Sequence, residues 1–267
     1  LRYIRREHLG IPGIVNEGFA AARGGYIMTC HDHDIYDPAM LAELAAMLDG
    51  RPTAAYAHCG VIVVDPSGEV ELKQYVRNYP EITPGKAFLI EELLPWLDSK
   101  VSALTMIRAS AVVGEPFDAR FGACADVELW MRLCTVGDVA YVKKPLIRVR
   151  QRDPSSGLYF GRFRLVKSVL QAKRLYLSWV DDDAKRRAIT EGWRRQVDPY
   201  AFAELLRALE HRRFDDIPHI VNFIQQEGTG RGASAMRALG GMPRSVAIMA
   251  LRMAKALAPV LRRGSQI

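Results

Sequence analysis

Cysteine is scarce in this sequence. Cys30, Cys59, Cys124 and Cys134 are the whole complement among 267 residues, and no two form a C-x-x-C pair. That spacing argues against a disulfide framework or a thiolate zinc site and fits reduced thiols in a cytoplasmic setting. A long uninterrupted apolar run is missing too. The most apolar stretch, PRSVAIMALRMAKALAPVLRR at residues 243–263, is broken by Arg252, Lys255 and Pro259, too interrupted for a membrane span. It reads either as a basic amphipathic helix lying on a membrane surface or as an ordinary helix packed on the domain. No basic-apolar-small leader follows Leu1, so no signal peptide is expected, and a first residue other than Met suggests a fragment of a longer chain. Neither internal repeats nor a low-complexity tract occurs.

What is present is an ordinary globular composition, 49% hydrophobic and 25% charged, enough for one large domain or two small ones. The net charge of +7 is unevenly placed. Residues 1–157 carry 17 Lys and Arg against 20 Asp and Glu, and residues 158–267 carry 20 against 10. The second half is therefore expected to face something anionic, such as phospholipid, nucleic acid or a lipid-linked phosphate.

Residues 1–157 alternate short β-rich runs with helical patterns. GYIMTC, TAAYAHCGVIVVD and VAYVKKPLIRVR read as strands, with PSGEVE as a turn into a further strand. DPAMLAELAAMLDG reads as a helix with Asp37 as its cap and Pro38 at its first position, and ADVELWMRLCTVG as a helix closed by Gly137. Such alternation predicts an α/β layered domain with a mostly parallel sheet, in which ligands sit at the carboxyl ends of strands. From residue 158 onward the patterns are helical with basic faces, as in FRLVKSVLQAKRLYLSWV, DDAKRRAITEGWRRQV and PYAFAELLRALEHRRF. This predicts a basic α-helical region over 158–267.

The stretch GGYIMTCHDHDIYDP, residues 24–38, places two histidines and two aspartates at the end of a predicted strand. His31 and His33 read by themselves as loop residues. Asp32 and Asp34 lie two apart, where an unpaired buried carboxylate would be costly. A divalent ion would stabilise both; oxygen ligands suit Mg²⁺ or Mn²⁺, and an added imidazole tilts the choice toward Mn²⁺.

The surrounding spacing resembles the family 2 glycosyltransferases of the GT-A fold. Gly10, Asn16, Gly18, Ala22, Gly24, Tyr26 and Ile27 match the family's run into its Asp-x-Asp motif. Gly114, Phe117, Asp118, Asp126, Leu129, Arg132 and Leu133 match a later block, and GDVAYVKKPLIRVRQRDPSS matches its closing strand. The resemblance spans roughly residues 1–157. It implies a metal-dependent, inverting transfer of sugar from a nucleotide-diphosphate donor to a glycan or lipid-linked acceptor, as in cell-surface polysaccharide biosynthesis. It also implies Asp34 as the principal metal ligand with Asp32 or His33 as companion, Asp126 as general base, and Asn16, Gly18 and Arg150 as donor-binding positions.

The departures are specific. Alignment on Pro38 puts His31 and His33 where the first two acids of the metal motif are expected, Ala125 replaces the acid before Asp126, and Arg152 stands where a His often sits. No Gln-x-x-Arg-Trp segment follows, against a processive polysaccharide synthase. The family's opening strand and nucleobase-binding loop would precede Leu1, so this chain is expected to be inactive alone. LRYIRREHLG would be a short strand and the turn behind it.

Two other classes compete. A His/Asp metal phosphohydrolase would use HDHD with further ligands from separate helices. A nucleic-acid binder would use the basic second half, but no aromatic strand platform or DNA-reading helix accompanies it, so nucleic acid is not the expected partner. The basic helices would instead meet the acceptor's phosphates or the inner face of a membrane. Asp34 and Asp126 should face one cleft.

Overall fold

The structure, a computed structural model, describes residues 3–5, 9–97, 101, 104–151, 162–210, 215–229 and 234. The chain divides into two compact units. The first comprises residues 1–160 and 167–186, and the second comprises residues 161–166 and 187–267.

The first unit opens with α1 (Gly10–Ala21), β1 (Tyr26–Met28), β2 (Ile35–Tyr36), α2 (Met40–Asp49) and β3 (Ala54–Val64). It continues with β4 (Glu71–Tyr75), β5 (Ile82–Thr83), α3 (Gly85–Phe88), a π-helical turn at Leu89–Leu93 and β6 (Met106–Arg108). After 3₁₀ turns at Ala109–Ala111 and Ala119–Cys124 come α4 (Ala125–Leu133) and β7 (Asp138–Arg150). The C-terminal helices are α5 (Arg162–Leu175), α6 (Asp183–Glu210) and α7 (Asp216–Glu227), with a 3₁₀ turn at Leu177–Trp179. An α/β sheet domain followed by helices is thus as expected. Tyr3, Ile4 and Arg5 form no strand, and residues 1–2, 6–8 and 243–263 lie outside the described residues.

Pairing within the sheet corrects the expectation of a mostly parallel arrangement. The strand order is β1-β6-β3-β7-β2, with β4 on β3 and β5 on β7. Only β3 and β7 pair in parallel among the described strands; β1–β6, β3–β6, β3–β4, β2–β7 and β5–β7 are antiparallel. Helix-strand alternation marks crossovers but does not give the direction of short strands. The β3–β4 hairpin turns on Asp65, whose Oδ1 accepts the N–H groups of Gly68, Glu69 and Val70.

Helix α2 forms because its apolar residues recur at helical spacing. Met40, Leu44 and Leu48 are buried in a core with Ala54, Ala57, Leu104, Met106, Val142, Leu146 and Ile147. Each such leucine contributes about 1.5–3 kcal/mol on burial. Asp37 accepts the Ala39 N–H through Oδ1 at 2.8 Å, so it closes the entry turn, while the helix itself begins at Met40. At the other end Arg108 donates to the carbonyls of Leu48, Arg51 and Ala54, a cation at a helix C-terminus.

The helical stretches on either side of Pro199 run as one helix, α6. An interior proline costs about 3 kcal/mol. Burial of Trp193, Val197, Ala201, Leu205 and Ala208 on one stripe offsets it.

His58, on β3, is buried at 1% exposure and ringed by Tyr56, Tyr79, Phe88 and Tyr141, and its Nε2 has no hydrogen-bond partner. Burial pushes its pKa down to about 3. The unfolded chain therefore takes up this proton first, and stability is lost as pH falls from about 6.5 toward about 3. His58 should contribute a loss of about 2 kcal/mol between pH 6.5 and 5. Urea unfolding of wild type and His58→Phe at both pH values tests this; equal losses in the two proteins would contradict it.

Candidate active site and metal centre

β2 sets the site because its pairing places Ile35 opposite Arg148 and Tyr36 opposite Ile147. Asp34 is thereby carried to the end of β7, where the Arg150 backbone N–H donates to its Oδ1 at 3.0 Å. The loop before it is closed by Tyr36, whose hydroxyl accepts from the His31 N–H at 2.6 Å and donates to the His31 carbonyl at 2.8 Å. Burial raises the Tyr36 pKa to about 12, so this hydroxyl stays protonated at neutral pH.

Asp34 has a side chain only 1% exposed. Burial raises its pKa, but the His31 hydrogen bond, the Arg150 N–H and the charges of His33 and His31 outweigh burial and hold the carboxyl below its usual value. His31 Nδ1 lies 3.2 Å from Asp34 Oδ2, and His33 Nε2 lies 3.8 Å from Asp34 Oδ1. The two imidazoles stack with centroids 5.3 Å apart. His31, His33 and Asp34 each offer a ligand atom within 4.8 Å of the other two.

Asp32 stands outside that group. Its side chain is fully exposed and its Oδ1 lies 3.2 Å from His33 Nδ1, on the far side of the ring from the atom that faces Asp34. A turn is the reason: the chain bends at Asp32 and His33, bringing the Asp34 N–H back toward the His31 carbonyl, so Asp34 turns inward to β7 while Asp32 sits at the exposed outside of the bend. His31 joins the cluster instead. Its sequence signal was the alignment on Pro38, which sets both histidines in the acid positions of the motif.

Asp126 lies in the first turn of α4 and accepts the Val127 N–H at 2.8 Å. Burial raises its pKa to about 6, while that N–H and the charge of His31 pull the other way. His31 therefore hydrogen-bonds Asp34 and acts electrostatically on Asp126.

The remaining positions serve differently. Asn16 gives its amide wholly to one backbone, with Nδ2 donating to the Phe117 carbonyl at 2.9 Å and Oδ1 accepting the Phe117 N–H at 2.7 Å. It clips α1 to the residues leading toward α4. Gly18 faces open space. Asn16 also lines an open cleft of about 610 Å³ with Glu17, Glu115, Ala119 and Gly122, a cleft whose walls do not include the metal cluster or Asp126. The Arg150 guanidinium packs beneath Gly68. That glycine has φ +89°, and a Cβ there would lie 3.0 Å from Arg150 Nε, so a side chain would be strained in backbone and would displace the arginine. Arg150 Nε is buried with no hydrogen-bond partner.

Glu128, two residues beyond Asp126, was not singled out from sequence. Its buried carboxylate accepts from Tyr176 Oη at 2.5 Å and from Arg132 Nε at 3.2 Å. Arg132 also donates to the carbonyls of Val113, Glu115 and Pro116. Only burial reveals this network, since acid-to-Arg spacing of four is common on exposed helices.

Comparison with known proteins follows the same line. Residues 1–111 match the model for Glycosyl transferase family 2. No curated protein matches the chain. The family resemblance of the sequence is thereby borne out, and the mixed sheet with trailing helices is consistent with a GT-A-like domain followed by a helical region.

Proposed function

Taking the family 2 glycosyltransferase segment at residues 1–111 as premise, we propose that this protein is a metal-dependent, inverting glycosyltransferase. It moves a sugar from a nucleotide-diphosphate donor to a hydroxyl of a glycan or lipid-linked acceptor. The observation that supports this reading is the grouping of ligand atoms from His31, His33 and Asp34 within 4.8 Å of one another, inside the segment that matches the family model.

Asp34, His33 and His31 would hold the ion, Mn²⁺ or Mg²⁺, and its chemistry there is to neutralise charge on a departing diphosphate. Two imidazole nitrogens beside one carboxylate fit a divalent ion, and the Arg150 N–H orients that carboxylate. Asp126 takes the proton from the acceptor hydroxyl. A carboxyl titrating near 6 is ionised at neutral pH yet more basic than an exposed one, which suits a general base. One direct displacement at the anomeric carbon inverts its configuration. Arg150, half-buried beneath Gly68, is assigned to a donor phosphate.

The basic helices are assigned to the acceptor's phosphates or an anionic lipid surface at the inner face of a membrane. No helix among the described residues is long and apolar enough to cross a membrane. The phosphohydrolase alternative needs further ligands. Among the described residues no second His/Asp group of three occurs, and His58 is sealed among aromatic rings.

A thermal-shift panel of nucleoside diphosphates with Mn²⁺, run on the protein with the opening donor-binding segment restored, tests the reading. One base should raise the melting temperature, and Asp34→Ala should abolish that rise. A rise that survives Asp34→Ala would mean the nucleotide binds elsewhere and would sink the site.

A further inference from the structure

We propose that the His31–His33–Asp34 cluster is a nitrogen-rich centre that selects Mn²⁺, Co²⁺ and Zn²⁺ over Mg²⁺, with Asp32 as the residue that orients His33 rather than as a ligand. This deepens the metal part of the function proposed above and stands independently of sugar transfer.

The donor set decides the ion. The three residues that come together offer two imidazole nitrogens and one carboxylate oxygen. Mg²⁺ is small and hard, demands near-octahedral oxygen ligation and is held through carboxylates and retained waters. Imidazole suits Zn²⁺ and its first-row neighbours, and affinity for such mixed sites rises from Mn²⁺ through Co²⁺, with Zn²⁺ also strongly bound. A second carboxylate would restore the balance toward Mg²⁺. The neighbouring carboxylate in the loop, Asp32, is turned away, fully exposed, with its Oδ1 at His33 Nδ1.

That placement has a use. An acceptor at Nδ1 favours the tautomer with hydrogen on Nδ1, which leaves the Nε2 lone pair directed toward Asp34, 3.8 Å away. A carboxylate behind a ligating histidine is a common way to set ring orientation and raise ligand basicity. The other two ligands are also held from behind. Asp34 Oδ1 accepts the Arg150 N–H, and the main chain of His31 is pinned on both sides by the Tyr36 hydroxyl. The substitution of histidine for acid at two positions of the motif is thus accompanied by supports that fit nitrogen ligation.

Metal titration of the full chain, without nucleotide, tests the proposal. Co²⁺ should bind with a visible ligand-field absorption, Zn²⁺ should displace it at one ion per chain, and Mg²⁺ should bind on the order of 100-fold more weakly than Zn²⁺. His33→Ala and His31→Ala should each weaken Zn²⁺ binding by about tenfold or more, and Asp32→Asn by about tenfold. The pair His31→Asp with His33→Asp should invert the preference, gaining Mg²⁺ and losing Zn²⁺. Circular dichroism of each variant confirms that it is folded, and the inverted selectivity of the double variant cannot arise from unfolding.

Mg²⁺ binding as tight as Zn²⁺ would overturn the proposal, as would Zn²⁺ binding indifferent to both histidines. The transferase reading fails separately. If the metal behaves as stated but no nucleoside diphosphate binds the metal-loaded protein with the opening donor-binding segment restored, the transferase reading fails and the metal centre stands. If a nucleotide binds equally well with Mg²⁺ alone, the metal proposal falls and the transferase reading remains.

Discussion

Asp126→Asn, made in the protein with the opening donor-binding segment restored, should lower sugar transfer by about 10²–10⁴-fold, the range that a positioned general base contributes, while making the folded protein more stable at pH 7. The two effects have one cause. Burial raises the Asp126 pKa from 3.8 to about 6. The folded protein thus holds this proton more tightly than the unfolded chain does. The resulting stabilisation is complete below about pH 4 and is lost as pH rises through about 6. At pH 7 the ionised carboxylate costs about 2–3 kcal/mol, which a neutral amide avoids. Asparagine can keep the acceptor for the Val127 N–H through its own oxygen. Wild-type transfer should fall about tenfold per pH unit below about 6, since the base must be ionised. Melting temperatures of wild type and variant should differ at pH 7 and converge near pH 4. A variant that transfers sugar at the wild-type rate removes Asp126 from the chemistry. One that is less stable at pH 7 shows that the carboxylate is structural.

Glu128→Ala should cost about 3–5 kcal/mol of folding free energy, as expected when one partner of a buried ion pair is removed. Glu128 is 4% exposed and receives Tyr176 and Arg132 together. Arg132 in turn gathers three carbonyls from Val113 to Pro116, and Asn16 clasps the next residue, Phe117. Removing Glu128 leaves a half-buried guanidinium without its carboxylate and loosens the helix that carries Asp126. Tyr176→Phe should cost about 1–2 kcal/mol, because the carboxylate still has Arg132. Urea unfolding at pH 7 measures both. A loss below about 1 kcal/mol for Glu128→Ala would mean the pair is balanced by its desolvation. Equal losses for the two variants would move the weight from the ion pair to the tyrosine hydroxyl.

Tyr176 lies beyond the boundary drawn at residue 157 from charge and helical pattern, yet it belongs to the same compact unit as Glu128. Lys173, buried one turn earlier with its Nζ on the Leu93 carbonyl, belongs there too, and burial lowers its pKa to about 7. Composition registers where a chain changes character. It does not register which side chains after that point are buried.

Much of this protein was legible without coordinates because the relevant physics is local. Helical periodicity in Met40, Leu44 and Leu48, the turn chemistry of Asp65 and Gly68, and the strand run of Ala54–Val64 are properties of neighbouring residues. The spacing of motif residues likewise pointed to the family matched by residues 1–111 and to Asp34, His33 and Asp126 as residues to examine. Strand direction, the inward turn of His31 and Asp34, the outward turn of Asp32, and the use of Asn16 as a clip were not legible. Each depends on which backbone group lies opposite: Arg150 for Asp34, Phe117 for Asn16, Arg148 for Ile35. Those partners are about 100 residues away or more, and pairings over such separations are set by burial and sheet register, which no local pattern encodes.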